Sequence, residues 1–525
     1  MENYPSIFND VIGPVMRGPS SSHCAASLRI GRIARDLMDG QINHILIEFD
    51  PQGSLATTHK SQGSDMGLYG GFLGWEAYDE RLPESEKLIE AADIKVEIKI
   101  LDIDAKHPNT YKLTLNNQHE YHRVTAISTG GGMIEVIEID GVKVSMAGDF
   151  YETLIYCNNG DKVITYLNKV FDFDEIIWHP GEISFIEIKA QQFLGEVFCA
   201  ELLAMDEVMY IKKLSPVLPV MSRKELKVPF ITCQEMLTYN QEKNLELWEL
   251  AVAYESARGK ISNEEVFEKM RSIVQIMDNS IKLGLKGTSY EDRILGSQSV
   301  QLKEQMDNNR LMGGAANNRI IMYVSAMMEV KSSMGVIVAA PTAGSCGALP
   351  GALIGMADSL DLSEDEIVKA MLSAGLIGVF IAAHATFAAE VGGCMAECGS
   401  GSGMAAAALV GMAKGTLHQS LAAASLALQN TLGLICDPIG NRVEAPCLGR
   451  NVMAATNAVS CANMALSDYN HLIPLDEVIE TMRLVGNEIH HTLRCTNLGG
   501  LSITNAAKEI EGKLNEQPQT FFKIC

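Results

Sequence analysis

Three cysteines in the C-terminal half of the chain stand beside residues that interrupt helices. They are Cys394 after Gly393, Cys436 before Asp437-Pro438, and Cys447 after Pro446. A thiol at such a break can point away from the regular backbone, and soft thiolate ligands favour iron–sulfur clusters. Three thiolates would leave one iron without a protein ligand, and an open iron can act as a Lewis acid. At this point, metal-free thiols that simply pack at helix breaks remain the alternative.

A second polar group opens an N-terminal helix in the stretch "RGPSSSHCAASLRI". Its Gly-Pro pair favours a turn, and the apolar residues that follow recur at helical spacing. One hydroxyl is enough to cap a helix, but this stretch offers Ser20, Ser21 and Ser22, followed by His23. A helix N-terminus with spare hydroxyl and N–H groups can also bind a small carboxylate or phosphate. Capping and anion binding therefore both stay open.

The elements that must position these residues indicate a multidomain α+β protein. Alternating apolar residues predict strands over 44–50, 94–103 and 111–116, and a hairpin over 131–146 that turns at Asp140-Gly141. A βαββαβ order follows, which is typical of a ferredoxin-like module. Beyond Thr232 we expect no further strands, because helical stretches rich in Ala, Gly and Met take over and must be buried. The apolar stretch 374–389 is shorter than a membrane span and predicts a buried core helix.

Composition narrows the class of protein. The chain has 525 residues, of which 47% are hydrophobic, so two to four domains are expected. A formal net charge of -23 argues against nucleic acid as a partner. The N-terminus lacks the features of a secretory signal, so we expect a cytoplasmic protein without a membrane partner. Twelve cysteines without a C-x-x-C pair favour neither zinc knuckles nor, in the cytoplasm, disulfides.

Long motifs run through the whole chain. The N-terminal part contains "RGPSSSH", "GSLATTHKSQGSDMGLYGGFLGWEAYDER", "HPNT" and "STGGGMIEV". The C-terminal part contains "SSMGVIVAAPTAGSCGALPG", "EVGGCMAE", "GLICDPIGNRVEAPCLGRN" and "LGGLS". In this order they resemble the β and then the α portion of the iron–sulfur-dependent L-serine dehydratases, also called L-serine ammonia-lyases. The resemblance therefore implies both portions fused in a single polypeptide.

The resemblance also implies a division of the chain. It places an α/β domain of the β type over 1–150 and an all-α catalytic domain over 281–525. Between them lie an ACT-like module over 151–220, with a ferredoxin fold, and a helical connector over 221–280. In relatives such a module can bind an amino-acid effector or support dimerisation, and a structural spacer is the alternative. We expect a homodimer that acts on a small amino acid.

For the chemistry, the resemblance implies a [4Fe-4S] cluster held by Cys394, Cys436 and Cys447, and no pyridoxal phosphate. The open iron would bind the hydroxyl of L-serine while a base removes the Cα proton, which yields pyruvate and ammonia after loss of water. Cys525 ends the chain and is expected either to ligate the fourth iron or to belong to a frayed terminus. Cys346 and Cys398 are expected to line the site.

The remaining candidates follow the matched motifs. Ser20, Ser21, Ser22 and His23 would bind substrate together with Asn109 and Gly344, and Thr342 would take part in catalysis, although "PTAGSCG" could be merely a tight turn. Gln62 stands where the family carries a histidine, and glutamine cannot act as a base. We therefore expect the base at His59 or His107.

Two further departures leave the substrate open. Arg494-Cys495 stands where the family carries an Arg-Glu pair, and Ile439-Gly440-Asn441-Arg442 is an unusual sequence after Asp437-Pro438. Either change could redirect the enzyme to L-threonine or, as a desulfidase, to L-cysteine. A catalytically silent amino-acid sensor is the third alternative.

Overall fold

The structure is a computed structural model that describes residues 4–18, 20–60, 62–181, 183–291 and 293–516. The chain forms two compact units. The first unit is Met16–Leu226, and the second combines the N-terminal residues up to Val15 with the chain from Lys227 onward. Strands dominate the first unit and helices the second, so the predicted α+β fold class is confirmed. The finer division at residues 150, 220 and 280 stays a prediction.

A six-stranded sheet is the centre of the first unit. Its strands are β2 (His44–Phe49), β3 (Lys95–Ile100), β4 (Thr110–Asn116), β5 (Tyr121–Gly130), β6 (Met133–Ile139) and β7 (Val142–Met146), and the short β1 (Val15–Arg17) precedes them in the chain. The strand order is β3-β2-β4-β5-β6-β7, with β2 and β3 parallel and the other pairs antiparallel. The predicted strands and hairpin are confirmed, whereas β5 had not been predicted.

Two helices cover this sheet at close range. They are α1 (Ser21–Leu37) and α3 (Ser64–Phe72), and the shorter α2 (Leu55–Thr58) and α4 (Ser85–Ala91) flank α3 in the chain. On α1, the apolar residues Ile30, Ile33 and Leu37 lie in the hydrophobic core against the sheet. A Cβ at Gly71 on α3 would lie 2.3 Å from the Leu28 carbonyl oxygen of α1, so this close packing requires glycine.

The rest of the first unit has the ferredoxin-like order predicted from the sequence. The elements are β8 (Tyr151–Cys157), α5 (Gly160–Val170), β9 (Glu175–His179), β10 (Phe185–Ala190), α6 (Glu196–Leu203) and β11 (Val208–Leu214). The strands pair antiparallel in the order β11-β8-β10-β9. Leu167 of α5 and Leu202 of α6 share a buried core with one face of this sheet.

Helices make up almost all of the second unit. They are α7 (Cys233–Asn240), α8 (Leu247–Gly259), α9 (Asn263–Gly284), α10 (Ser299–Asp307), α11 (Gly314–Lys331), α12 (Ala348–Leu360), α13 (Glu364–His384), α14 (Ala389–Gly392), α15 (Ser400–Met412), α16 (Leu417–Gln429), α17 (Cys447–Leu466), α18 (Leu475–Glu488) and α19 (Asn505–Glu516). Residues 405–408 of α15 are four fully buried alanines, as expected for a helix that is apolar all round. The expectation of no strand beyond Thr232 is wrong, because the β-branched run Val336–Val338 forms β12.

Among the described helices, α13 alone is long and apolar enough to cross a membrane. The protein buries 72% of that apolar stretch, which is typical of a core helix. The predicted core helix over 374–389 is therefore confirmed as far as His384, where α13 ends. Two glycines of α13 face the N-terminal segment, since a Cβ at Gly375 would lie 2.6 Å from Ile7 and one at Gly378 would lie 2.1 Å from Val11.

Candidate active site

The loop before α12 holds Thr342 against a buried carboxyl group. Thr342 Oγ1 donates a hydrogen bond to Glu397 Oε1 at 2.6 Å and lies 3.1 Å from Ser345 Oγ. Glu397 belongs to a single turn of π-helix, Met395–Gly399, a conformation that is frequent at functional sites. Burial raises the pKa of Glu397 to about 7, while the hydrogen bond from Thr342 acts in the opposite direction. A carboxyl group with this pKa can donate or accept a proton near neutral pH.

Gly344 lies against the same carboxyl group. A Cβ at this position would be 2.7 Å from Glu397 Oε1, so a larger residue would displace that side chain. The Gly344 carbonyl accepts a hydrogen bond from Asn451 Nδ2 at 2.9 Å. Close packing accounts for the glycine, and its predicted contact with substrate stays a prediction.

The three predicted cluster ligands are all buried in the second unit. Cys394, Cys436 and Cys447 have exposed fractions of 2%, 3% and 5%. Cys394 and Cys436 belong to one cluster of packed side chains that also contains Cys398. Cys447 begins α17 and lies close enough to Cys394 for the two thiols to interact electrostatically. The fold thus brings together three cysteines from separate segments.

Local contacts hold these segments in place. Gly393 has a φ of +68°, a conformation that favours glycine. A Cβ at this position would lie 2.8 Å from the carbonyl oxygen of Leu434, which precedes Cys436 by two residues. Asp437 Oδ1 accepts a hydrogen bond from Arg450 Nη2 at 2.5 Å, and its Oδ2 accepts one from Leu501 N at 2.6 Å. The close approach of Gly393 to Leu434 joins the "GGC" motif to the segment that contains the "CDP" motif. The two hydrogen bonds of Asp437 join the "CDP" motif to the "CLGR" and "LGGL" motifs.

Two cationic side chains accompany the thiols. Lys331, at the end of α11, is 6% exposed and donates a hydrogen bond from Nζ to the Val443 carbonyl at 3.0 Å. Burial lowers the pKa of Lys331, and the thiol of Cys447 lies within its electrostatic range. Arg450 Nη1 is buried without a hydrogen-bond partner among the described residues, and this guanidinium interacts electrostatically with Cys394 and Cys447. An unpaired cationic N–H group beside thiols suits an anionic sulfur-rich centre.

The three thiols do not converge on a single metal ion. In the described part of the chain, no group of three or more His, Cys, Asp or Glu side chains could hold one metal ion. In a cluster each thiolate binds a different iron, so the ligands need not converge on one point. Burial raises the pKa of Cys447 to about 12. Binding of iron to this thiol would therefore release its proton.

Asn451 links the loop to α17, and the sequence analysis missed it. It is fully buried, and its Oδ1 accepts hydrogen bonds from Gly347 N and Ala348 N at 3.2 and 3.0 Å. Its Nδ2 donates to the carbonyls of Gly344 and Cys447, both at 2.9 Å. Asn451 is the last residue of the matched "CLGRN" letters, and this position was the available signal.

The sequence analysis also missed Glu397 and Lys331. Each is a charged residue within an apolar stretch, "GGCMAECGSGSG" and "AMMEVKSSMG" respectively. Charged residues are rarely buried unless they are paired, so a charged residue in such a stretch indicates a candidate functional position.

Cys495 lies against one of the three ligands. A hydrogen bond between the two thiols, together with burial, raises the pKa of Cys436. Cys436 N donates to the Leu493 carbonyl, and Cys495 N donates to the Cys436 carbonyl, both at 2.8 Å. Cys346 and Cys398 are buried in the same unit. Cys525 lies outside the described residues, so its predicted role stays a prediction.

In the first unit, Ser20 precedes α1 but does not cap the helix through its side chain, which was one of the two alternatives for this stretch. Ser20 is the N-cap residue, but its side chain makes no capping hydrogen bond, and its Oγ lies 2.8 Å from His23 Nδ1 instead. Burial lowers the pKa of His23. Ser21 Oγ is buried without a partner among the described residues, and Ser22 follows it in the first turn. Substrate binding by these four residues stays a prediction.

The two candidate bases differ in the ring nitrogen that is engaged. His59 Nδ1 lies 2.8 Å from both carboxylate oxygens of Asp65, which assigns its proton to Nδ1 and a free lone pair to Nε2. His107 Nδ1 accepts a hydrogen bond from Asn109 N at 3.1 Å, which assigns the proton of its neutral ring to Nε2. Asn109 Oδ1 in turn accepts a hydrogen bond from Ser54 Oγ. Of the two rings, only His59 presents a basic Nε2.

The helical half of the chain matches known serine dehydratase alpha chains. Residues 242–502 match the protein family described as "Serine dehydratase alpha chain". Over 285 residues the chain is 35% identical to the "Probable L-serine dehydratase, alpha chain" of Bacillus subtilis, which covers 54% of this chain and 95% of that relative. The chain belongs to the L-serine dehydratase family.

Members of this family also match beyond the alpha portion. The "Probable L-serine dehydratase, beta chain" of Bacillus subtilis is 33% identical over 220 residues, which is 40% of this chain and 99% of that relative. The "L-serine dehydratase" of Streptomyces coelicolor is 27% identical over 442 residues, which is 81% of this chain and 92% of that relative. The predicted fusion of both portions is thereby confirmed, and membership of the L-serine dehydratase family supports a lyase.

Proposed function

We propose that this protein is an L-serine ammonia-lyase that depends on a [4Fe-4S] cluster and uses no pyridoxal phosphate. The observation that carries the proposal is the group of three buried cysteines with cationic and carboxyl side chains beside them. The names of the relatives support the substrate, and the donor set supports the cofactor.

Cys394, Cys436 and Cys447 would hold the cluster. When bound, the cluster supplies a Lewis acid for the hydroxyl group of serine. Lys331 and Arg450 contribute positive charge and N–H donors, which offset the negative charge of three thiolates in a buried site.

Removal of the Cα proton requires a base, and we assign this role to His59. Its Nε2 is free to accept the proton, because Asp65 engages Nδ1. The Asp65 carboxylate keeps the ring in this tautomer and stabilises the imidazolium that forms. Gln62 carries no basic atom, and His107 is suited instead to donate a hydrogen bond from Nε2.

Departure of the hydroxyl group as water requires a proton donor, and we assign this role to Glu397. With a pKa of about 7, its carboxyl group is partly protonated near neutral pH. Thr342 Oγ1 orients the group by donating to Oε1. The electrons of the Cα–H bond form the carbon–carbon double bond as the Cβ–O bond breaks. The resulting aminoacrylate takes up a proton at carbon, and water then hydrolyses the imine to pyruvate and ammonia.

Anaerobic purification followed by spectroscopy tests the proposal. We expect a brown protein that forms pyruvate from L-serine and loses this activity in air. Cys394→Ala should abolish the visible absorbance and the paramagnetic resonance signal of the reduced cluster. Cys461→Ala is the matched control, because Cys461 is equally buried but is hydrogen-bonded to Asn430 and Asn457.

Three results would contradict parts of the proposal. Cluster absorbance that survives Cys394→Ala would remove this cysteine from the ligand set, and a colourless protein that is fully active would remove the cluster from the reaction. Parallel assays of sulfide from L-cysteine and ammonia from L-threonine identify the substrate. A loaded cluster without turnover of any of these amino acids would contradict the assignment as a lyase.

A further inference from the structure

A cavity of about 390 Å³ opens in the first unit, beside the end of α1. Polar groups in its wall include Arg35, Asn43, Gln118 and His119, and apolar ones include Leu73 and Ile94. None of the described residues that line it is acidic. The cavity belongs to the first unit alone, and none of the cysteines and histidines assigned above lines it.

Among the described residues, Arg35 is the only one in the wall with a permanent charge, and no described carboxylate pairs with it. The side chain is half-buried, and its Nε atom is buried without a hydrogen-bond partner among the described residues. The two acidic residues next to Arg35 in the chain, Asp36 and Asp39, bind other groups. Asp36 Oδ2 accepts a hydrogen bond from Ser215 N at 2.8 Å, and Asp39 Oδ2 pairs with Lys212 Nζ at 2.7 Å.

An unpaired guanidinium is notable in a chain with a net charge of -23, where carboxylates are abundant. Guanidinium groups present a planar set of donors that matches a carboxylate or a phosphate. The wall therefore has the chemistry of an anion site.

Two glycines hold the guanidinium group in position. Gly40 and Gly74 have φ values of +75° and +78°, in the region that favours glycine. A Cβ at Gly40 would lie 2.8 Å from Arg35 Nη1, and a Cβ at Gly74 would lie 3.1 Å from Arg35 Nε. The guanidinium group thus occupies space that only glycines leave free. A donor restrained before binding loses less entropy when a ligand arrives.

We propose that this cavity binds a small organic anion. The carboxylate of the ligand pairs with Arg35, and its short apolar body lies against Leu73 and Ile94. The carboxamides of Asn43 and Gln118 are placed to bind a second polar group of the ligand. Inorganic phosphate shares the anionic chemistry but lacks the apolar body, so the two ligands can be distinguished by experiment.

Calorimetric titration of the full-length protein with propionate tests the proposal, because propionate has neither the amino nor the hydroxyl group of the substrate. Arg35→Gln should weaken propionate binding at least about tenfold, as expected for loss of a charge-assisted hydrogen bond. Arg32→Gln is the matched control, because Arg32 lies on the same helix but pairs with Glu76 at 2.5 Å. It should bind propionate as the wild type does.

Equal affinity in all three proteins would overturn the proposal. Binding of inorganic phosphate through Arg35 without binding of propionate would overturn the assignment to a carboxylate.

Labelling of the wild-type protein provides a second measurement that needs no variant. Phenylglyoxal modifies accessible arginines, and peptide mass spectrometry locates them. Propionate should slow the labelling of Arg35 and leave that of Arg32 unchanged. Equal labelling rates with and without propionate would contradict the site even if Arg35→Gln does not fold.

Discussion

Glu397→Gln tests whether a buried carboxyl group carries a proton near neutral pH. Burial raises the pKa of Glu397 to about 7, against an ordinary value of 4.5. At about pH 6 this group should be about 90% protonated, whereas an ordinary glutamate would be about 3% protonated. Glutamine keeps the size of the side chain and the acceptor for Thr342 Oγ1, but it cannot ionise.

The same shift makes stability depend on pH. The pKa of Glu397 is higher in the folded than in the unfolded protein, so its protonation favours folding most at low pH. This contribution is lost as the pH rises from about 4.5 to about 7, and above that range it is constant. The difference between a pKa of about 7 in the folded protein and 4.5 in the unfolded one corresponds to about 3 kcal/mol. Across this window the wild type should lose that much stability relative to Glu397→Gln.

Infrared difference spectra between acidic and alkaline solutions measure the protonation directly. A protonated carboxyl group has a carbonyl band distinct from that of a carboxylate, and the wild type should show such a band titrating near pH 7. Glu397→Gln should lose the band. Glu390→Gln should keep it, because Glu390 is exposed in the same segment. Burial also raises the pKa of Glu152 and Glu255, so the decisive signal is the component that titrates near pH 7. The same intensity of this component in wild type and Glu397→Gln would refute the reasoning.

Two further predictions concern the orientation of the base and the link between loop and helix. Asp65→Asn should lower kcat about 10²-fold or more with little change in KM, because His59 loses the carboxylate that fixes its tautomer. An unchanged kcat would exclude the role of Asp65 in orienting the base. Asn451→Ala should destabilise the protein by about 3 kcal/mol in urea unfolding, because two buried N–H groups lose their acceptor. The exposed Asn463→Ala on the same helix is its control, and an equal midpoint for both variants would contradict the argument.

Much of the fold could be predicted because it follows from local pattern. Alternating apolar residues place the strands β2, β4 and β6, and the positive φ angles of Asp140 and Gly141 show the tight turn that the pair predicts. The short strand β12 escaped prediction because a three-residue β-branched run lies among long helices. The candidate ligands could be found because cysteines beside glycine and proline stand out in an apolar sequence.

The amino-acid sequence alone determined the fold class, the family resemblance and the three candidate thiols, because these depend on residue type and order. Only the tertiary structure decided how deeply each polar group is buried and which of its atoms have a hydrogen-bond partner. The pKa of Glu397, the free Nε2 of His59 and the unpaired guanidinium of Arg35 depend on neighbours distant in the chain. Desolvation and hydrogen bonding depend on residues that are distant in the chain but close in the fold, so the sequence around each residue does not predict these properties.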